Sequence, residues 1–165
     1  KGWTYAKGLL AHERTGLAGV SRSIVALENL KVQAGEVKRG NGTLMDDPSF
    51  KSRLAKLEVD LQALEFTELR SLSAAAAGKQ PGPESSILKL KGTEIQQRIA
   101  HLTTVAAGPY APAYGNVKAG PKFAKGGTSS YLNSRYYTIF GGASEVQKDI
   151  IAKNVLGIKK SSSAK

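Results

Sequence analysis

The length, composition and charge of the chain restrict what kind of protein it can be. Its 165 residues suffice for one domain with a sizeable core, no apolar run approaches the ~20 residues of a membrane span, and no secretory signal is visible. Cysteine is absent, which excludes disulfides and thiolate metal sites and fits a reducing, cytoplasmic location. The net charge of +11 is spread over every segment, and no nucleic-acid-binding signature accompanies it.

The first half of the chain predicts two long helices. From Trp3 to about Gln33, apolar residues recur at steps of three and four, which indicates one long amphipathic helix. Breaks follow at Gly35 and in the Gly40–Gly42 turn, and Asp47-Pro48 then begins a second helix that should run to about Ala77. The apolar stripe of this second helix comprises Phe50, Leu54, Leu57, Leu61, Leu64, Leu69 and Leu72.

The third predicted helix begins within Glu84–Ser86 and runs to about Ala107, where Gly108-Pro109 ends it. The segment from Gly108 to Ser130 is rich in Gly, Pro and small residues, and no period can be read from it. Because this segment is longer than an ordinary connection in a bundle, we expect it to be functional or partly mobile.

A fourth helical stretch begins near Ser129 and is interrupted by the pair Gly141-Gly142. Ser144 and Gln147 predict a capping box at the start of the final helix, which Gly157 ends. Two glycines before a helix N-terminus let backbone approach a ligand closely, and the free N–H groups of the first turn favour an anionic or carbonyl oxygen. On the local pattern alone, a tight connection between two helices is the commoner explanation.

Four helices of this length, joined by turns and without a sustained strand pattern, predict an all-α fold, an antiparallel four-helix bundle. The bundle should span residues 1–157, and residues 158–165 should form a disordered tail. The two histidines of the chain, His12 and His101, lie on different predicted helices without the spacing of metal ligands. We therefore expect no metal site.

Three polar residues, His12, Glu13 and Arg14, interrupt the apolar pattern of the first helix. A solvated helix face is the simpler explanation, because charged residues are usually exposed. The alternative is that Glu13 points into the bundle. Desolvation would then raise the pKa of its carboxyl group and a nearby guanidinium would oppose that shift, which would leave a carboxylate suited to act as a general base.

Three stretches of the sequence resemble one protein family. GWTYAKGLLAHER (residues 2–14), SSILKLKGTEIQQ (85–97) and YLNSRYYTIFGGASEVQKDIIAKNVLG (131–157) are similar to the C-terminal helical domain of bacterial acyl-CoA dehydrogenases. The resemblance implies an FAD-dependent enzyme that oxidises an acyl-CoA to the trans-2-enoyl-CoA. It also implies that the chain is a fragment lacking the N-terminal helical and β-domains of the family, and that the fragment is inactive by itself.

The resemblance implies where the α-proton-abstracting base lies. In the medium-chain branch of the family, the base is a Glu before the final helix, at the position where this chain has Gly141. In the isovaleryl-CoA and long-chain branches, it lies on the first helix of the domain, just before an Arg. Glu13, followed by Arg14, matches that second position. His12 and Arg14 would then flank the reacting centre, and Gly141 and Gly142 would line the acyl pocket.

The resemblance also implies the flavin contacts. Ala143, Ser144 and Glu145 correspond to residues that contact the flavin in relatives, although many relatives have Thr where this chain has Ala143. Relatives further carry an Arg, followed by Phe-Gly, that reaches the flavin diphosphate of a neighbouring subunit. Arg39 is the candidate here, but Gly40 follows it directly and an ordinary surface role is the alternative.

The resemblance also concerns a glycine-rich flavin motif at the end of the third helix, which is reduced here to Gly108-Pro109-Tyr110.

The remaining implications concern partners. Family members assemble through this bundle, which implies a homodimer or homotetramer, and an electron-transferring flavoprotein is their usual electron acceptor. A noncatalytic bundle subunit of a heteromeric dehydrogenase is a second hypothesis. A basic nucleic-acid binder is a third, and its affinity would fall steeply with salt.

Overall fold

A computed structural model describes residues 2, 5–6, 8–9, 16–80, 82–112 and 120–158 of the chain. It confirms the all-α bundle. Three long helices form most of it, α1 (Val20–Glu36), α2 (Pro48–Ala76) and α3 (Glu84–Ala107), and two shorter ones follow, α4 (Gly127–Asn133) and α5 (Ser144–Asn154). Within these described ranges, no helix is both long and apolar enough to cross a membrane.

Short elements connect the helices. A two-residue hairpin, β1 (Lys38–Arg39) and β2 (Gly42–Thr43), pairs antiparallel and places Arg39 opposite Gly42. Short 3₁₀ turns occupy Leu44–Asp46, Gly108–Tyr110, Lys122–Ala124 and Ser134–Thr138.

The start of α2 confirms the predicted helix cap. The Asp47 carboxylate accepts hydrogen bonds from the N–H groups of Ser49 (2.8 Å) and Phe50 (3.2 Å), and Pro48 is the first helical residue. The predicted apolar stripe is buried from Phe50 to Leu64. Its last two residues, Leu69 and Leu72, are instead half-exposed, so the described neighbours of α2 bury only its first two thirds.

Helix α3 lies at the centre of the bundle and packs against α1, α2, α4 and α5. Its apolar side chains enter the core together with those of α1 and α2. Several of its polar side chains are also buried, among them Lys89 and Thr93. Because α3 is surrounded, side chains on different faces of it reach different connecting segments.

The first helix is interrupted, so the prediction of one continuous helix from Trp3 to about Gln33 is wrong. Residues 16 and 17 are helical, Gly19 adopts a left-handed conformation with φ +59°, and α1 begins at Val20. Gln96 of α3 donates hydrogen bonds from Nε2 to the carbonyls of Leu17 and Ala18, both at 3.1 Å. These bonds stabilise carbonyl groups at a helix end, where no helical N–H is available to pair with them. Periodicity did not reveal the break, because a single Gly is tolerated inside a helical pattern.

The break packs directly against α3 at Gly92. A Cβ atom on Gly92 would overlap the carbonyl oxygen of Ala18 and would lie only 2.6 Å from its Cα. Ala18 itself is fully buried. The backbones of the two segments therefore touch, and only glycine at position 92 permits that approach.

We expect Gly92→Ala to destabilise the protein, although alanine favours helices by about 1 kcal/mol over glycine. The added methyl group meets backbone atoms that cannot rotate away, and overpacking of this kind costs about 1–3 kcal/mol. Gly35→Ala in α1 is the matched control, because no atom lies within 4 Å of its Cβ position. Urea unfolding of the protein expressed from its complete reading frame should show a lower midpoint for Gly92→Ala and an equal or higher one for Gly35→Ala. A midpoint of Gly92→Ala at or above the parent value would contradict the close contact.

Candidate functional site

The two glycines before α5 form a turn that buried side chains hold from inside the bundle. Gly141 and Gly142 both have positive φ, +64° and +95°. The carbonyl of Gly142 accepts hydrogen bonds from Lys89 Nζ at 2.9 Å and from Gln147 Nε2 at 3.2 Å. Gln147 Nε2 also lies 3.3 Å from the Gly141 carbonyl. Lys89 and Gln147 are both fully buried, so α3 and α5 together fix this double-glycine turn.

A side chain at Gly141 would meet the end of the Leu17 side chain. Its Cβ position overlaps the Cδ1 atom of Leu17, from the segment before α1. The left-handed backbone at Gly141 would also strain any other residue there. The contact with Leu17 brings the beginning of the chain against the double-glycine turn.

The segment that leads into this turn is anchored by α3. Gln97 Nε2 donates a hydrogen bond to the carbonyl of Ser134 at 2.9 Å. The Arg135 guanidinium lies over the Tyr131 ring, 4.4 Å from its centroid, and donates from Nε to the Tyr131 carbonyl at 3.2 Å. The 3₁₀ turn Ser134–Thr138 is therefore held at its first residues.

Three aromatic rings pack together just before the glycines. The ring centroid of Tyr136 lies 4.8 Å from that of Tyr137 and 4.9 Å from that of Phe140. Burial raises the pKa of the Tyr137 phenol, and Tyr136 raises it further, whereas Arg22 lowers it. The net shift is upward, so Tyr137 stays neutral at physiological pH and acts as a packing group with a hydroxyl donor.

The start of α5 differs from the predicted capping box. Ala143 occupies the cap position, Ser144 is the first helical residue, and no side chain caps the helix. Ser144 Oγ instead donates to the Thr138 carbonyl at 3.4 Å, and Gln147 turns toward the glycine carbonyls. The capping box is wrong because the buried carbonyls of the turn compete for the Gln147 amide. The first turn of α5, which includes Glu145, keeps N–H groups that a ligand oxygen can accept from.

Arg39 and the end of α3 line one cavity. The cavity has a volume of about 350 Å³ and is bounded by Glu36–Arg39, Ala106–Tyr110, Pro121 and Phe123. Strand β1 places Arg39 at its edge, and Gly108, with φ +55°, turns the chain at the end of α3. The structure thus brings together two segments, Arg39 and Gly108-Pro109-Tyr110, that the sequence connected with the flavin separately.

The implied base and its neighbours, His12, Glu13 and Arg14, lie outside the described residues. Leu17 is the described residue just beyond them that contacts the double-glycine turn. Of the sequence-predicted site residues, the structure therefore places two groups, Gly141–Glu145 at the turn and Arg39 at the cavity.

Sequence reasoning missed the role of Lys89. A weak signal was present, because Gly92, Thr93 and Gln96 follow Lys89 at steps of three, four and seven and therefore share its helix face. Small residues on that face permit close approach of another segment. Lys89 lies in the second of the three stretches that resemble the family, but its position in the pattern does not by itself indicate a role.

The described residues define a helical bundle domain in which buried polar side chains hold a glycine turn at a helix N-terminus. Residues 1–156 match the family model described as "Acyl-CoA dehydrogenase, C-terminal domain". The chain therefore belongs to the acyl-CoA dehydrogenase family, an oxidoreductase family of flavoproteins, and the resemblance found in its sequence is confirmed.

Curated relatives and solved structures agree with this assignment. Acyl-CoA dehydrogenase FadE34 of Mycobacterium tuberculosis is 27% identical over 158 residues, which cover 95% of this chain and 20% of the relative. Acyl-CoA dehydrogenase IpdE1 of the same species is 28% identical over 161 residues, which cover 95% of this chain and 38% of the relative. The chain thus spans well under half the length of these relatives.

Among solved structures, the glutaryl-CoA dehydrogenase complex with glutaryl-CoA superposes with a TM-score of 0.76 at 20% identity, over 93% of this chain and 37% of that one. A structure described as the Tcur3481-Tcur3483 steroid ACAD superposes with a TM-score of 0.79 at 25% identity, over 97% of this chain and 40% of that one. The bundle is therefore of the acyl-CoA dehydrogenase C-terminal type.

We expect Gly141→Ala to destabilise the protein by more than a positive φ alone explains. The left-handed conformation costs a non-glycine residue about 1–2 kcal/mol, and the new methyl group would also displace Leu17. Gly40→Ala is the control, because Gly40 has φ +53° and no atom within 4 Å of its Cβ position. Thermal unfolding should show a larger loss for Gly141→Ala than for Gly40→Ala. Equal losses would mean that the Leu17 side chain fills this position too loosely to oppose a methyl group.

Proposed function

We propose that this chain is the catalytic C-terminal part of an FAD-dependent acyl-CoA dehydrogenase, with Glu13 as the base that removes the α-proton of the acyl thioester. The contact that fills the Cβ position of Gly141 with Leu17 carries this proposal. Position 141, one of the two base positions in the family, holds a left-handed glycine and therefore no carboxylate, and the end of the Leu17 side chain occupies the place of its Cβ. Position 13 is the other.

The sequence supports Glu13 through its distance from Leu17. The two residues are four apart, so in the helix predicted for this segment they would lie one turn apart on the same face. Leu17 touches the double-glycine turn. A carboxylate one turn earlier would therefore face the space in front of that turn, flanked by His12 and Arg14, with Gly141 and Gly142 as a wall of the acyl pocket.

The proposed reaction is a coupled loss of two hydrogens. Glu13 takes the α-proton of the acyl-CoA, and the β-hydrogen leaves with its electron pair as a hydride, so that the bond between the α- and β-carbons becomes the trans double bond of the enoyl-CoA. FAD supplies the hydride acceptor when it is bound. The carboxylate contributes general-base catalysis, which in enzymes is worth about 10²–10⁴ in rate.

Two described features fit a bound flavin. The uncapped first turn of α5 offers N–H groups at Ala143, Ser144 and Glu145 for an oxygen of the cofactor. The cavity of about 350 Å³ places Arg39 beside Gly108–Tyr110, where a guanidinium can pair with a diphosphate. In the proposed assembly, Arg39 reaches the flavin of a neighbouring subunit.

The proposed protein acts as a homodimer or homotetramer and passes its electrons to an electron-transferring flavoprotein. Large apolar side chains on α2, Val59 (65% exposed) and Phe66 (68% exposed), together with the half-exposed Leu69 and Leu72, support an assembly that covers them. Because the chain spans only 20% and 38% of the two curated relatives, we expect the chain by itself to be inactive.

A noncatalytic subunit of a heteromeric dehydrogenase is the second candidate. One of the similar structures is described by two component names, Tcur3481 and Tcur3483, which supports assembly from two different chains in that relative. A subunit of this kind would keep the bundle and its contacts but would not depend on Glu13. The two candidates therefore differ in the effect of one substitution.

We expect Glu13→Gln to lower kcat by about 10²–10⁴, because the amide cannot accept the α-proton. The substitution is made in the protein expressed from its complete reading frame, and acyl-CoA-dependent reduction of an artificial electron acceptor is measured. Bound flavin and the unfolding midpoint should match the parent protein. Parental turnover in the variant would remove Glu13 as the base, and a parent protein without any turnover would favour the noncatalytic subunit.

We expect Arg39→Gln to weaken flavin binding by about 10–100-fold, since a charge-assisted hydrogen bond contributes about 1.5–3 kcal/mol. Flavin absorbance after graded dilution measures the dissociation constant. Arg53→Gln is the control, because Arg53 lies on α2 and lines a different cavity. The same flavin affinity in both variants would place Arg39 on an ordinary protein surface.

A further inference from the structure

We propose that Lys89 and Gln147 are positioning residues that turn the N–H groups of Gly142 and Ala143 toward the ligand, as a pair of donors for one acceptor oxygen. This inference rests on the proposed function, in which the double-glycine turn borders the acyl group and the flavin. It assigns a role to two fully buried polar side chains that the reaction itself does not use.

The geometry of the peptide bond carries the argument. No described peptide bond is cis, and in a trans peptide the C=O and the following N–H point in opposite directions. The carbonyls of Gly141 and Gly142 both face the bundle interior, where Gln147 and Lys89 donate to them. The N–H groups of the same two peptides, which belong to Gly142 and Ala143, must therefore face outward.

Neither of these outward N–H groups donates a hydrogen bond to another part of the described structure. They lie on consecutive residues directly before the uncapped N-terminus of α5, whose dipole also favours a negative partial charge. A pair of adjacent N–H donors is suited to one partially negative oxygen. The thioester carbonyl of the substrate and an oxygen of the flavin both have this chemistry.

Lys89 and Gln147 also strengthen the donors that they orient. A hydrogen bond accepted by a carbonyl polarises its peptide and makes the N–H of that peptide a better donor. The Gly142 carbonyl accepts two such bonds, so the N–H of Ala143 gains most. Gln147 packs so closely on Gly142 that a Cβ atom on Gly142 would overlap Nε2 of Gln147. Glycine at position 142 is thus required for this arrangement.

The test compares Lys89→Met with Thr93→Val in the protein expressed from its complete reading frame. Methionine keeps the length of the side chain but removes the donor. Thr93 is the matched control, because it is as buried as Lys89, lies one turn further along α3, and bonds only to the carbonyls of its own helix, Lys89 and Leu90, in the described structure. Urea unfolding measures the stability that each variant loses, and the readouts below are compared under conditions where both remain folded.

Hydrogen exchange provides a readout that needs no activity. We expect the peptide covering residues 139–148 to exchange faster in Lys89→Met than in the parent protein, because the turn loses an anchor, and to exchange at the parental rate in Thr93→Val. Lys89→Arg, which keeps donors, should lie between Lys89→Met and the parent. Parental exchange in Lys89→Met would overturn the positioning role.

Kinetics and flavin binding identify which oxygen the N–H groups of Gly142 and Ala143 bind. If the substrate carbonyl is bound, Lys89→Met should lower kcat about tenfold, equivalent to about 1.4 kcal/mol, with flavin affinity unchanged. If a flavin oxygen is bound, flavin affinity should fall about tenfold and the loaded enzyme should keep its kcat. Parental kcat together with parental flavin affinity in Lys89→Met would overturn the inference. Losses of kcat or flavin affinity in Thr93→Val that equal those in Lys89→Met would overturn it as well.

A parent protein without dehydrogenase activity would instead contradict the proposed function, while the exchange and flavin measurements would still decide the role of Lys89.

Discussion

The backbone contact between Gly92 of α3 and Ala18 is the constraint on which the rest of the site depends. Because no side chain separates the two segments, the chain before α1 lies directly on the central helix. The break at Gly19 leaves the carbonyls of Leu17 and Ala18 within reach of Gln96. Leu17 is thereby fixed where it fills the Cβ position of Gly141, and this contact joins the two ends of the bundle sequence at one place.

Helix α3 organises the site through polar side chains rather than through its apolar ones. Gln96 holds the break before α1, Gln97 holds the 3₁₀ turn at Ser134, and Lys89 holds the turn at Gly142. Each donates to a backbone carbonyl at the end of a helix or in a turn, so each pairs a partly buried group that would otherwise be costly. The apolar core sets the arrangement of the long helices, and these three side chains set the positions of the segments between them.

Membership of the acyl-CoA dehydrogenase family gives this arrangement its meaning. Within the family, a base can project from the first helix of the domain or from the segment before the last one. Here the second position is a left-handed glycine whose Cβ direction is occupied by Leu17, so the turn presents backbone groups and no side chain at this position. The proposals for Glu13 as the base and for Lys89 and Gln147 as positioning residues describe complementary parts of one site, a proton acceptor on one side and fixed N–H donors on the other.

The sequence by itself determined the helices, the cap at Asp47, the end of α3 at Gly108 and the family of the chain. These features follow from local periodicity, from turn residues and from contiguous motifs, all of which are properties of neighbouring residues. The pattern was wrong about the first helix, which breaks at Gly19, and about the capping box at Ser144. At the break, the distant Gln96 stabilises the carbonyls that the helix end leaves unpaired, and before α5 the glycine carbonyls bind the Gln147 amide.

Only the tertiary structure decided which polar groups share one interior. Gln96 reaches residues nearly eighty positions away, and Lys89 reaches Gly142 across more than fifty. Arg39 and Gly108 likewise line one cavity, although they lie on segments far apart in the chain. Such pairings depend on how whole helices pack. A sequence pattern does not reveal the spatial distance between segments that are far apart in the chain.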